Sequence, residues 1–512
     1  METMRQYEMA EWTVKGTEPN GSWVDIDISA EVTHNGSTRK IKGFYAGDGA
    51  YKVRFYPEET GVYSVQIKAG EGFEGASFDA ECVPASAGQH GMVRACGTHF
   101  KYADGTWFYP FGTTVYALSH QDDELVEQTF ATLAGAPFNK IRMCLFPKHY
   151  EYNSNEPPCF AFEKTESGWD LHHPNMAFWD RFESHIKRLA ALGIQVDLIV
   201  FHPYDRWGFS KFPREEALVY LDYLTRRFSA IPNLWWSLAN EYDIMDYEMA
   251  DWECFAQYIH DGDPYGHLLS NHEMVVAWDY TNKNTTHICH QIKNVDFVSM
   301  EIAKYNKPLM VDECRYEGNI VQNWGNISAK EMVRRFWMVC LQGGYCTHGE
   351  TYMHPQNILW WAAGGKLYGQ SPARIGFLRG IIESLGGPLD FNGKDMDADT
   401  FYKMREQIPD AAAQGNPVIK LMKRASWEQA QGLIIGNRLA EGHFEDKAYI
   451  KYYDEQCICE GFLDLPEEGS YKVEVIDTWE MTRTVALEGV NGKVTVKLPS
   501  KEGMALLATK QS

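Results

Sequence analysis

The sequence predicts an α/β fold: a single (β/α)8 TIM barrel flanked by an N-terminal β-sandwich and a small C-terminal β domain. Three observations carry this expectation. Residues 7–84 alternate apolar and polar side chains, with turn signals every eight to twelve positions. The next three hundred or so residues alternate short apolar runs with long amphipathic ones, as repeated βα units do. The last ninety or so residues return to strand-like alternation.

Taken in order, "WVDIDISAEVTH" and "KIKGFYAGDGAYKVRFYPEETGVYSVQIKAG" read as antiparallel strands of an Ig-like sandwich over residues 1–88. From "GTWFYPFGTT" onward the barrel is expected over 89–395. Its strands are "WFYPFG", "NKIRMCLF", "QVDLIVF", "LWWSLAN", "HLLSNH", "THICHQ" and "PLMVDE", with an eighth in "GYCTHGE". Between them "AFWDRFESHIKRLAALG" and "REEALVYLDYLTRRFSAIP" carry helical periodicity. A doubly wound sheet is the competing architecture, but no strand leads into GxGxxG or GxxxxGK; "AAGGKLYGQ" has neither spacing. The polar stretch "DMDADTFYKMREQIPDAAAQ" marks a helical connector, 396–422. "GLIIGNRL", "KAYIKYY", "SYKVEVIDTWEMT" and "GKVTVKLP" then mark the C-terminal β domain, 423–512.

Composition narrows the function classes. The chain has 512 residues and a formal net charge of −22, a field that repels nucleic acid and anionic membrane surfaces. No run of eighteen apolar residues and no signal-peptide core occurs, so the expectation is a soluble, cytoplasmic protein without nucleic-acid or membrane partners. Oligomeric state is not legible. The 11 cysteines are scattered and read as reduced, mostly buried thiols; Cys457 and Cys459 form CxC without a second pair, and read as alternate-facing strand residues.

In a parallel barrel the chemistry sits where strands end, on the rim whose loops can vary without disturbing the core. Here the strand ends are polar: Thr113, Thr114 and Tyr116; Arg142; His202, Tyr204 and Asp205; Asn240 and Glu241; His272; His290 and Gln291; Asp312 and Glu313; His348 and Glu350. "WSLANE" and "PLMVDE" each drive an apolar strand into a terminal glutamate, 72 positions apart, which leaves room for two further βα units and puts Glu241 and Glu313 at one mouth. Two facing carboxyl groups suit glycosidic bond cleavage, one as a protonated acid and the other as an anion. Alternation sets Asp312 and Glu313 on opposite faces, one toward the mouth and the other toward the helix layer.

These residues resemble the clan A retaining glycoside hydrolases: an Asn-Glu closing the fourth strand, a Glu closing the seventh and an Arg near the end of the second. The wider layout is similar to apiosidase-like barrels with an N-terminal module of collagenase-like label. The resemblance implies a glycoside hydrolase with Glu241 as acid/base, Glu313 as nucleophile, Asn240 on a sugar hydroxyl and Arg142 beside the nucleophile. It implies a carbohydrate substrate and neither metal nor cofactor. The clan's strand-six tyrosine is replaced by His290 and Gln291, and its strand-eight tryptophan by Glu350, with Trp360 and Trp361 further on. His202, His272, His290, Gln291, Trp207, Glu350 and Trp360 complete the candidate substrate contacts; Trp207, Trp324 and Trp360 lie in loop-like text where a flat ring can stack on a sugar, whereas Trp235 and Trp236 read as core. The absence of secretion signals points to exo action on oligosaccharides or small glycosides. Two rival readings remain: a metal-dependent hydrolase built from the strand-end histidines with Asp205 and Asp312, although no HxH or HExxH occurs, and a non-catalytic carbohydrate-binding protein.

Overall fold

A computed structural model describes residues 1–70, 73, 75–166, 168–393, 397–435 and 439–511. The chain divides into two compact units, the first comprising residues 1–293, 305–332 and 345–376, and the second 294–304, 333–344 and 377–512.

The first unit holds an eight-stranded, nearly closed parallel barrel. Its strands are β1 (Phe111–Thr114), β2 (Lys140–Cys144), β3 (Gln195–Phe201), β4 (Leu234–Asn240), β5 (Leu269–His272), β6 (Ile288–Gln291), β7 (Leu309–Glu313) and β8 (Tyr345–His348). They pair in the order β5-β4-β3-β2-β1-β8-β7-β6. Seven of the strands fall on the segments expected from sequence; β1 overlaps its expected segment, "WFYPFG", only at Phe111 and Gly112, because Trp107 and Phe108 pair in a separate sheet. β2, β3 and β4 are buried along their whole length, as strands covered on both faces must be. In β4 the two tryptophans separate by alternation. Trp235 packs on Phe100 and under the ammonium of Lys140, while Trp236 donates its indole N–H to Asp263 Oδ2 at 3.0 Å.

Helices α1 (Asp123–Gly135), α2 (Met176–Ala191), α3 (Arg214–Phe228) and α4 (Met249–Gly262) follow β1 to β4 in the chain. α2 shows why these segments are helical: Phe178, Phe182, Ile186 and Leu189 recur at helical spacing on its buried side, and Asn175 caps the first turn by accepting from the N–H of Ala177.

Residues 1–83 form a five-stranded and a three-stranded sheet that share one core containing Trp12, Val32, Val53, Tyr56 and Val65. Arg54 ties this module to the barrel helices, donating to Glu183 Oε1 at 2.7 Å and to the carbonyl of Arg227 at 2.6 Å. A further three-stranded sheet, residues 93–108, sets Phe100 and Phe108 against Trp235.

The second unit contains a six-stranded antiparallel sheet and a two-stranded one over Asp390–Lys510, with a core of Leu463, Val473, Val496 and Leu506. Its helical stretch runs further than the composition implies: a helix spans Trp427–Ile435, so the first half of "GLIIGNRL" is helical rather than strand. Residues 436–438 of that segment lie outside the described residues, and strands resume at Ala440. None of the 11 cysteines is in a disulfide; six are buried, but Cys457 and Cys459 are exposed in a loop, not on a strand. Among the described residues no helix is long and apolar enough to cross a membrane.

Candidate active site

The site is built at the C-terminal ends of the barrel strands. β4 delivers Asn240 and then Glu241, whose backbone takes the left-handed conformation (φ 55°, ψ 56°), uncommon for a residue with a side chain. This kink ends the strand, and the neighbours hold it. The Glu241 N–H donates to His272 Nδ1 at 3.4 Å, and the carboxylate accepts from the hydroxyl of Tyr204. The next two residues brace the rim: Asp243 accepts from the N–H groups of Met274, Val275 and Val276 at 2.7–2.8 Å, and Tyr242 donates to the carbonyl of Val276 at 2.9 Å.

Glu313 closes β7. Its carboxylate accepts from the hydroxyl of Tyr116, just past β1, and lies 3.7 Å from Arg142 Nη1 on β2. The Tyr116 hydroxyl is 3.0 Å from Asn240 Oδ1 and 3.5 Å from the Tyr316 hydroxyl. Arg142 Nη1 also donates to Asn240 Oδ1, at 3.4 Å. One net of hydrogen bonds therefore joins the ends of β1, β2, β4 and β7.

The two glutamates have unlike surroundings. Burial, reinforced by the nearby charge of Glu313, raises the pKa of Glu241 above the usual carboxylate range; Tyr204, Lys148 and Gln291 offset part of that rise. Glu313 instead borders a fully buried guanidinium. Burial and the adjacent carboxylates push the Tyr116 and Tyr204 phenols up, so both remain donors.

Lys148, on the loop after β2, is the group that sequence reasoning missed. It is 3% exposed, and its ammonium sits 3.6 Å from the ring centroid of Tyr116, 4.4 Å from Tyr204 and 4.7 Å from Trp361. Tyr316, three residues past Glu313, joins it at the mouth, beside both Glu313 and the Tyr116 hydroxyl. No local signal marks either residue, because both reach the glutamates through loop geometry.

Beneath the mouth lies a buried ionic layer. Lys140 Nζ bridges Asp197 at 2.6 Å and Asp312 at 2.7 Å, and Asp312 also accepts from Thr347 at 2.6 Å and from the Cys289 thiol. Asp312 therefore points into the barrel, not toward the helix layer. Strict alternation fails because the pairing of β7 with β6 shifts register at the strand ends.

The other candidates divide. The Gln291 side chain offsets part of the rise in the Glu241 pKa, and His272 holds the Glu241 backbone. His202 is buried on the carbonyl of Phe146 at 3.1 Å, and His290 pairs with Glu273 at 2.6 Å. Trp207 is half-buried, its indole donating to Glu156 at 2.8 Å. Trp360 is buried, with its indole on Thr113 Oγ1 at 2.8 Å, and offers no open ring. Its neighbour Trp361 packs with Tyr116, Tyr150, Tyr316 and Trp324 beside the carboxylates. Glu350 is buried away from Glu241 and Glu313, next to Glu317, and its pKa is raised by burial to about 7. The strand-end histidines thus turn to different partners; among the described residues the only ligand-spaced cluster is Glu317, His348 and Glu350.

Comparison with known proteins agrees with the barrel fold. Residues 95–383 match the family described as "Apiosidase-like, catalytic domain". Residues 3–70 and 436–509 match two domains of unknown function, DUF5060 and DUF5605. The whole chain superposes on the whole of a candidate glycoside hydrolase from Bacteroides vulgatus ATCC 8482, with 30% identity and a TM-score of 0.86. A family 5 glycoside hydrolase from the same organism shares the fold at 15% identity and a TM-score of 0.61, covering 82% of this chain and 93% of the other. No curated protein matches. Barrel, catalytic-domain match and structural neighbours together make this protein a glycosidase. The chain belongs to the apiosidase-like family.

Proposed function

We propose that the protein is a retaining glycosidase of clan A type, with Glu241 as general acid/base and Glu313 as nucleophile. The observation that carries the reading is the contrast between two carboxyl groups closing β4 and β7 of one barrel. Glu241 has a raised pKa in a buried setting, and Glu313 lies beside Arg142 with a phenol on its carboxylate. Environments that separate two acids in this way assign the proton donor and the anion.

In the first step Glu313 attacks the anomeric carbon while Glu241 passes its proton to the leaving oxygen, giving a glycosyl ester on Glu313 and a free alcohol. Glu241, now ionised, takes a proton from water, and the hydroxide formed displaces Glu313 to restore both groups. Arg142 and Tyr116 stabilise the returning carboxylate charge. Asn240, fixed by Arg142, faces the sugar hydroxyl next to the reacting carbon, where a hydrogen bond strengthens in the transition state. Each step uses protein groups and water.

The aromatic wall of Tyr150, Trp324 and Trp361 supports a pocket for a terminal sugar and hence exo action on oligosaccharides or small glycosides. The paired N-terminal sheets and the C-terminal sheet read as a β-sandwich and a β domain flanking the catalytic barrel.

The test is chemical rescue on a panel of aryl glycosides that includes apiosides and arabinosides. Glu313→Gly should lose turnover and, with azide, yield the glycosyl azide of inverted configuration; Glu241→Ala should yield the retained one. Near wild-type activity of either variant on an unactivated substrate would overturn the assignment.

A further inference from the structure

Beyond the ends of β7 and β8 the two chains run on side by side, with Glu317 paired to Glu350 and Gly318 to Thr351. The side chains of Glu317, His348 and Glu350 converge there: one ligand atom from each lies within 4.8 Å of the others, and none of the three residues exceeds 1% exposure. Among the described residues neither carboxylate has an ion pair, although buried acids ordinarily need a counter-charge.

Their hydrogen bonds come from neutral groups. Glu317 accepts from the Tyr352 hydroxyl and the N–H of Gln370 (both 2.9 Å) and from Ser371; Glu350 accepts from the N–H groups of Tyr368 and Gly369 (2.5 and 2.8 Å). Gly369 keeps the cluster open, since a Cβ there would stand 2.5 Å from Glu317 Oε2 and 2.6 Å from Glu350 Oε2. The second, independent observation is His348. Its Nδ1 is engaged by Thr113 Oγ1 at 3.2 Å, while its Nε2 is buried without a partner.

We infer that Glu317, Glu350 and His348 Nε2 bind a divalent first-row cation, Zn²⁺ or Mn²⁺. One imidazole nitrogen and two carboxylates form a mixed set that suits these ions. A bond from Nδ1–H to Thr113 leaves Nε2 with its lone pair free, the usual way an outer partner selects the ligating nitrogen. The ion is structural, since it belongs to neither Glu241 nor Glu313. It neutralises two buried acids and staples the extensions of β7 and β8 around Tyr316, on whose ring Gly349 lies so close that a Cβ at 349 would stand 2.1 Å from it.

The experiment measures metal directly on the full chain. Protein expressed with Zn²⁺ and Mn²⁺ in the medium is analysed by elemental mass spectrometry, then stripped with EDTA and titrated with each ion by calorimetry and thermal melting. The expected result is one equivalent per chain, a fall in Tm on stripping that the ion reverses, and affinity weakened at least about 100-fold in His348→Ala and Glu350→Gln. Less than about a tenth of an equivalent in the wild type, with no Tm response to either ion, would overturn the site, as would full binding retained in both variants. If the variants fail to fold, the wild-type stoichiometry and Tm response decide alone.

Discussion

The hydroxyl of Tyr116 donates a hydrogen bond to the carboxylate of Glu313, which ties the end of the first barrel strand to the end of the seventh. A bond from phenol to carboxylate is worth about 1.5–3 kcal/mol, and in the proposed mechanism it changes during the reaction because Glu313 alternates between anion and ester. Tyr116→Phe should therefore lower kcat roughly 10- to 100-fold, with a smaller change in KM and an unchanged circular dichroism spectrum. Steady-state kinetics on an aryl glycoside checks this; wild-type kcat would mean that the bond carries no catalytic weight.

Lys148 gives a prediction in pH. In the proposed mechanism Glu241 must be protonated to donate, so kcat/KM should fall as pH rises through its pKa. Burial and Glu313 raise that pKa, and Lys148 is among the groups that lower it. Removing the cation in Lys148→Met raises it further, so the alkaline limb of the profile should move to higher pH. A shift to lower pH would contradict the assignment of Glu241 as the acid.

The left-handed backbone of Glu241 can be tested without catalysis. Both Glu241→Gly and Glu241→Ala remove the carboxylate and leave Tyr204 without its acceptor, so their difference isolates the main chain. At φ 55° alanine carries a penalty of about 1–2 kcal/mol that glycine avoids. Urea denaturation should find the glycine variant more stable by about that amount, and equal stabilities would argue against the kink.

These residues also show what the sequence made legible. Apolar runs long enough for buried strands, separated by helical periodicity, located seven barrel strands and the edge of the first, and with them Glu241 and Glu313. Side chains that act from loops stayed hidden, because the approach of Lys148 and Tyr316 depends on how loops fold over the mouth. Of the neighbours Trp360 and Trp361, sequence favours the first as a stacking ring, and packing reverses the choice by burying Trp360 on Thr113 and giving Trp361 to the wall. Asp312 was misplaced because a period of two assumes regular pairing, which breaks down at the end of β7. "GLIIGNRL" looked like a strand because a short apolar run fits a buried helix equally well.

The ionic layer beneath the mouth supports the last prediction. Lys140 and Arg142 bring two positive charges into a space closed to water, and Asp197 and Asp312 balance them. Although burial alone would raise it, Lys140 and Arg142 hold the pKa of Asp312 well below the ordinary carboxylate value. A folded-state pKa depressed in this way contributes stability that is present above the unfolded value, about 3.9, and is lost as pH falls below it. Asp312→Asn leaves the cations short of one counter-charge, and breaking a buried pair from one side costs about 3–5 kcal/mol. Denaturant unfolding at pH 7 should show that loss. The gap between wild type and variant should narrow as pH falls from about 4, because the wild type alone loses this contribution. A gap independent of pH would assign the cost to the hydrogen bonds from Thr347 and Cys289 rather than to charge.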